Sequence, residues 1–97
     1  MDLGIKGKVA LVTAASTGIG KAVAEALAIE GCNVAICARS KEVLIDTARD
    51  IKTKFNVEPF WGVCDLNQQK DIENFYDAVK NHFGKVDILI NLSLIHI

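Results

Sequence analysis

The residues that could do chemistry stand at a few places along the chain, and the first is Thr13-Ala14-Ala15-Ser16-Thr17-Gly18-Ile19-Gly20. Glycines at 18 and 20 remove the side-chain bulk that would keep an anionic ligand away from backbone N–H groups. Ser16 and Thr17 add short hydroxyls that can bond to phosphate or to the loop itself. Where such a loop leaves a buried strand and opens a helix, the positive end of the helix dipole completes what a dinucleotide's pyrophosphate requires. The plain structural alternative is that the two glycines only permit a tight turn and close helix packing. The strand and helix patterns on either side favour a dinucleotide site over that alternative.

A second place is Cys37-Ala38-Arg39-Ser40. An NAD site usually carries an acidic side chain about 20 residues beyond the glycines, where it accepts hydrogen bonds from the ribose 2'-hydroxyl. No carboxylate stands here. Arg39 offers instead a planar, permanently charged fork suited to a 2'-phosphate, and Ser40 can add a donor. The expected cofactor is therefore NADP(H) rather than NAD(H), against the alternative that Arg39 is an ordinary solvated loop residue. Asn91 is expected at the carboxyl edge of a sheet, where open α/β sheets bind their ligands.

The elements that must position these residues alternate between apolar, strand-like runs and segments of helical period, the pattern of βαβ units. Strands are expected at Lys8 to Thr13, Asn33 to Cys37, about Phe60 to Cys64, and Val86 to Asn91. The first helix is expected from Gly18 to Glu30, burying Ile19, Ala22, Val23, Ala26 and Leu27 and ending at Gly31. The second, Lys41 to about Lys54, has Ser40 as N-cap and buries Leu44, Ala48, Ile51 and Phe55. A third, capped by Asn67 and stopped by Gly84, turns Ile72, Phe75, Tyr76, Val79 and Phe83 inward. Pro59 cannot donate a ladder hydrogen bond, so the third strand starts after it or lies at a sheet edge. The expected fold class is α/β, a Rossmann-type doubly wound parallel sheet truncated to β-α-β-α-β-α-β, with strand order 3-2-1-4.

Composition narrows the partners. A net charge of -1 over 97 residues supplies no clustered cationic excess for nucleic acid or an anionic membrane. The apolar runs are far shorter than the roughly 20 residues that span a bilayer, and the N-terminus carries no signal-peptide pattern, so a cytoplasmic location is expected. Cys32, Cys37 and Cys64 show neither Cys-x-x-Cys spacing nor a histidine placed to complete a site, so they read as buried apolar residues and no metal site is expected. His82, near the end of the third helix, reads as a solvated group complementing the helix dipole.

The Thr13 to Gly20 segment resembles the TGxxxGIG fingerprint of the short-chain dehydrogenase/reductase family, and the resemblance extends over residues 5 to 91. Lys8-Val9-Ala10-Leu11-Val12-Thr13 is similar to the family's first strand, Val34 to Ser40 to its second strand and turn, and Cys64-Asp65-Leu66 to the end of its third. Val86-Asp87-Ile88-Leu89-Ile90-Asn91 is similar to the approach to its Asn-Asn-Ala-Gly motif. Ala14 departs from the fingerprint's first glycine, which bears on turn geometry more than on binding. The resemblance implies a dinucleotide lying against Ala14, Ser16, Thr17, Gly18, Ile19, Gly20, Arg39, Ser40, Asp65, Leu66 and Asn91. In it, Asp65 accepts a hydrogen bond from the adenine amino group and Leu66 lies near the ring. The alternative for Asp65 is that it caps the turn that follows.

The resemblance also implies hydride transfer between a carbonyl and a secondary alcohol, in a parent expected to be a homo-oligomer, with 3-oxoacyl-acyl carrier protein reductase-like and sugar dehydrogenase-like members as candidates. The family's catalytic serine and its Tyr-x-x-x-Lys pair are not matched, so no catalytic residue is assigned. Tyr76-Asp77-Ala78-Val79-Lys80 spells the pattern, but in the third helix, where it lacks the structural context that gives the motif meaning. Residues 1 to 91 are expected to be the dinucleotide-binding part of one domain. Leu92-Ser93-Leu94-Ile95-His96-Ile97 is expected to be a non-native tail, because the codons CTG TCT CTT ATA CAC ATC of a common sequencing adapter translate to that string. An isolated chain of this kind is expected to be marginally stable and without carbonyl-reducing turnover. Two rival readings are a non-catalytic nucleotide-binding or sensor module, and a doubly wound flavodoxin-like or receiver-like domain with no dinucleotide.

Overall fold

The computed structural model describes residues 4–14 and 17–92, with Ala14 and Thr17 described through their backbone. The order is β1 (Val9–Ala14), α1 (Thr17–Ile29), β2 (Asn33–Ala38), α2 (Lys41–Phe55), β3 (Phe60–Val63), α3 (Gln69–Phe83) and β4 (Ile88–Leu92). The four strands form one parallel sheet in the order β3-β2-β1-β4. This is the Rossmann-like α/β arrangement expected from the alternation of apolar runs and helical periods. β3 is an edge strand, and the buried Pro59 precedes it, outside the ladder.

The sheet's two faces separate by residue parity, as a period of two requires. Ala10 and Val12 of β1 join Val34, Ile36 and Ala38 of β2 in a core with Ala24, Ala28, Leu44 and Ile51 from α1 and α2. Val9, Leu11, Ala35 and Cys37 face the other way and pack on Phe75 and Val79 of α3. β1 and β2 are thus covered on both sides, which is why their sequences are continuously apolar rather than alternating. β4 presents Ile88 and Ile90 to the first core and leaves Leu89 58% exposed on the opposite face.

Two helices depart from the faces their periodicity suggests. α1 buries Gly20, Ala24 and Ala28, with Val23 and Leu27 packed partly, while Ala22 and Ala26 are exposed and Ile19 and Ile29 are 72% and 64% exposed. Apolar residues lie nearly all round this helix, so the pattern does not select a face, and the stripe of small side chains allows the closest approach to the sheet. α3 buries Phe75 and Val79, but Tyr76 turns outward at 37% exposure. The N-cap of α3 is Gln68 rather than Asn67, and it makes no side-chain capping bond. Ser40 caps α2 as expected, its Oγ accepting the Val43 N–H at 3.3 Å.

Candidate functional site

Parallel pairing brings the carboxyl ends of all four strands to one edge. Thr13 stands opposite Cys37 on one side and Asn91 on the other, and Cys37 stands opposite Gly62. One step further along are Ala14, Ala38, Val63 and Leu92. The four strand-end segments singled out as ligand-binding therefore leave the sheet at this edge, spread across three strand spacings or about 14 Å.

At the centre, β1 passes through residues 15 and 16 into the first turn of α1, which contains Thr17, Gly18, Ile19 and Gly20. Ser16 lies outside the described residues, as do the side chains of Ala14 and Thr17. Gly18 is exposed, has no positive φ, and a methyl group built on it would meet nothing within 4 Å. Neither its backbone conformation nor packing against the described residues accounts for a glycine there. Open space in front of a helix N-terminus fits an anionic group brought close to its N–H groups. Gly20, by contrast, is buried, as the close packing of α1 requires. The Ile19 side chain is 72% exposed, which leaves its backbone N–H as the group it could offer a ligand.

On the β2 and β3 side, Arg39, Val63, Cys64, Asp65 and Asp71 line a depression of about 320 Å³. Arg39 is exposed and forms no ion pair with the described residues. Ser40, already bound to α2 through its oxygen, keeps its hydroxyl hydrogen for donation. Asp65 caps the turn after β3: its Oδ1 accepts the Asn67 N–H at 3.0 Å and its carbonyl the Gln68 N–H at 2.9 Å. Turn capping, one of the two roles open to this residue, is thus present, and it uses one carboxylate oxygen only. Leu66 packs partly against the core formed with α3, at the rim of the same loop. Burial pushes the Cys37 and Cys64 thiols up, so both are held as neutral apolar groups beneath the depression.

On the β4 side, the Thr13 hydroxyl donates to Asn91 Oδ1 at 2.8 Å. Two features away from this edge escape a reading by periodicity, one at the amino ends of β1 and β4 and one between α1 and α2. Asp87 sits just before β4, where its Oδ2 accepts the Val9 N–H at 2.8 Å and its own N–H donates to the Val9 carbonyl at 2.9 Å. That backbone bond, with the Lys85 ammonium 3.2 Å away, holds the carboxyl below the usual carboxylate range. Lys21 and Asp50 pair across α1 and α2, and Lys54 and Glu25 do so at 3.5 Å, both on part-exposed side chains. The only sequence signal for Asp87 is a carboxylate interrupting an apolar run. Its partner is 78 residues away in the chain.

His82 is exposed in the last turn of α3, where it stacks on Phe60 with ring centroids 4.5 Å apart. It lies at the amino end of β3, away from the site edge. Among the described residues no group of three or more His, Cys, Asp or Glu could hold a metal ion, and no helix is long and apolar enough to cross a membrane.

The family model described as short chain dehydrogenase matches residues 8–93. The chain belongs to that family. It is 40% identical over 88 residues to the mouse 15-hydroxyprostaglandin dehydrogenase [NAD(+)], covering 90% of this chain and 33% of that protein. With the probable 2,4-dienoyl-CoA reductase 3 of Caenorhabditis elegans it shares 45% identity over 93 residues, 93% of this chain and 29% of the relative. L-sorbose reductase from Gluconobacter frateurii, solved with NADPH and L-sorbose, superposes with a TM-score of 0.90 at 38% identity, over 98% of this chain and 36% of that one. The chain spans about a third of the length of the curated relatives it matches.

Proposed function

We propose that this chain is the cofactor-binding part of an oxidoreductase that interconverts a carbonyl compound and a secondary alcohol by hydride transfer, with NADP(H) as the cofactor. The observation that carries the reading is Gly18, an exposed glycine in the first turn of α1 that neither its φ nor its contacts with the described residues require. A pyrophosphate there would accept from the N–H groups of the first turn, with the helix dipole adding to the attraction. The adenosine half would extend over β2 and β3 into the depression lined by Arg39 and Asp65, and the other half would extend past Thr13 toward Asn91.

The dinucleotide supplies the hydride acceptor or donor. The residues of this chain bind and orient it. Arg39, without a carboxylate partner, is available as a bidentate donor to a 2'-phosphate, and Ser40 can donate beside it. That supports NADP(H); the sorbose reductase relative was solved with NADPH. The mouse relative is named for NAD(+), so the preference rests on Arg39 and not on kinship. Substrates are small carbonyl or alcohol compounds, and the groups that select among them are not among the residues described.

The test is equilibrium binding of NADPH and NADH to the full-length protein, followed by fluorescence of the nicotinamide. The wild type is expected to prefer NADPH by about tenfold or more, and Arg39→Ala to lose most of that preference while NADH binding stays within about twofold. Equal affinity for the two cofactors in the wild type would refute the NADP(H) assignment. Absence of binding to either would refute the dinucleotide site.

A further inference from the structure

The depression beside Arg39 contains a second carboxylate, Asp71, which belongs to the first turn of α3 rather than to any strand end. Its position follows from two contacts. Asp71 Oδ2 accepts the Asp65 backbone N–H at 3.0 Å, and its carbonyl oxygen lies 3.7 Å from the Cys64 Sγ, which donates to it. The loop between β3 and α3 is therefore closed by a side chain from its far end onto the residue at its near end. Cys64 in turn donates its N–H to the Ala38 carbonyl at 2.8 Å, which ties this closure to β2 immediately before Arg39.

The consequence for Asp65 is one of orientation. Its Oδ1 and carbonyl are used by the Asn67 and Gln68 N–H groups, and its N–H by Asp71, so three of its polar groups are pinned from three directions. What remains is Oδ2. A carboxylate oxygen held at one place in a depression can accept from the exocyclic amino group of adenine, but only while its main chain keeps that orientation. A mobile Asp65 would face water and lose the entropy of ordering each time it bound.

We infer that Asp71 is the positioning residue of the adenine subsite: by accepting the Asp65 N–H it holds the β3–α3 loop in the conformation that discriminates an adenine base from other purines. The inference rests on the dinucleotide reading given above. Asp71 touches no part of the ligand and acts through Asp65.

The test uses half-cofactors that reach only this side of the site, adenosine 5'-monophosphate (AMP) and inosine 5'-monophosphate (IMP), measured by isothermal titration calorimetry on the full-length protein. Inosine carries a carbonyl oxygen at C6 in place of the amino group, so at that position it presents an acceptor to the Asp65 carboxylate, and its nearest donor is displaced to N1. The wild type is expected to bind AMP about tenfold more tightly than IMP. Asp71→Ala is expected to bring that ratio close to one. Asp71→Asn, which keeps a carbonyl oxygen able to accept the Asp65 N–H, is expected to restore the ratio to within about twofold of wild type. A merely structural Asp71 would lower the urea midpoint and leave the AMP to IMP ratio intact, and that result would overturn the inference, as would an Asn variant no better than Ala. Failure of the wild type to bind either nucleotide would overturn the dinucleotide reading itself and this inference with it. A wild type that binds both equally would overturn this inference alone.

Discussion

The Thr13 hydroxyl donates to Asn91 Oδ1 at 2.8 Å across the β1–β4 pair, on residues that also face each other in strand register. Thr13 is 1% exposed, so its hydroxyl has no access to water and must find its partner in the protein. The bond joins the strand that feeds the glycine turn to the strand that carries Asn91. It holds the carboxyl edge together where a ligand would lie.

Thr13→Val keeps the shape of the side chain and removes the donor. The variant is expected to lose about 0.5–1.5 kcal/mol of stability in urea unfolding, the net worth of one such hydrogen bond, since Asn91 is exposed and its oxygen can turn to water. A loss below about 0.3 kcal/mol would show that Asn91 finds another donor at no cost.

Gly18→Ala separates folding from binding. A methyl group there meets nothing within 4 Å among the described residues, and alanine is the better helix former by about 0.8–1 kcal/mol. The variant is expected to be as stable as the wild type or more so, by thermal unfolding, and to bind NADPH at least about tenfold more weakly, because the methyl group occupies the space in front of the first-turn N–H groups. Unchanged NADPH affinity would remove Gly18 from the site.

Gly62→Ala has the opposite outcome. A Cβ at this position would lie 2.7 Å from two ring carbons of Phe75, whose side chain is 6% exposed and cannot swing into solvent without vacating the core. The expected loss is about 1–3 kcal/mol, read as a lowered urea midpoint. Phe75→Leu in the same background is expected to recover part of it by making room.

Acid stability depends on Asp87. The Val9 N–H and the Lys85 ammonium lower its pKa in the folded state, so the unfolded chain takes up the proton more readily. The stability this contributes is present above the ordinary carboxylate pKa of about 4 and is lost as pH falls through the lowered value. Asp50, lowered chiefly by its hydrogen bond from Lys21, acts in the same direction. Asp87→Asn is expected to flatten the fall of the urea midpoint below about pH 4 without abolishing it, since Asp50 remains. An acid limb of unchanged slope would show that the Asp87 contact forms in the unfolded chain too.

The sequence by itself determined the order of elements, the parallel sheet and its edges, and the places where ligand-binding segments leave it. These follow from local patterns: continuous apolar runs for strands buried on both faces, Ser40 for a helix start, Gly84 for a helix stop, and Gly18 and Gly20 at a strand-to-helix turn. Arg39 and Asp65 were legible as strand-end residues because strand ends carry polar groups into solvent. Tertiary structure decided which face α1 buries, because a helix apolar all round has no preferred face until the small Ala24 and Ala28 meet the sheet. It turned Tyr76 outward, because the space opposite Gly62 admits the Phe75 ring and fixes the rotation of α3. It also recruited Asp87 and Asp71, whose hydrogen-bond partners are a strand N–H 78 residues away and a loop N–H on the far side of a turn. A carboxylate's partner is set by which backbone donors folding leaves unpaired near it, and no periodicity in the chain records that.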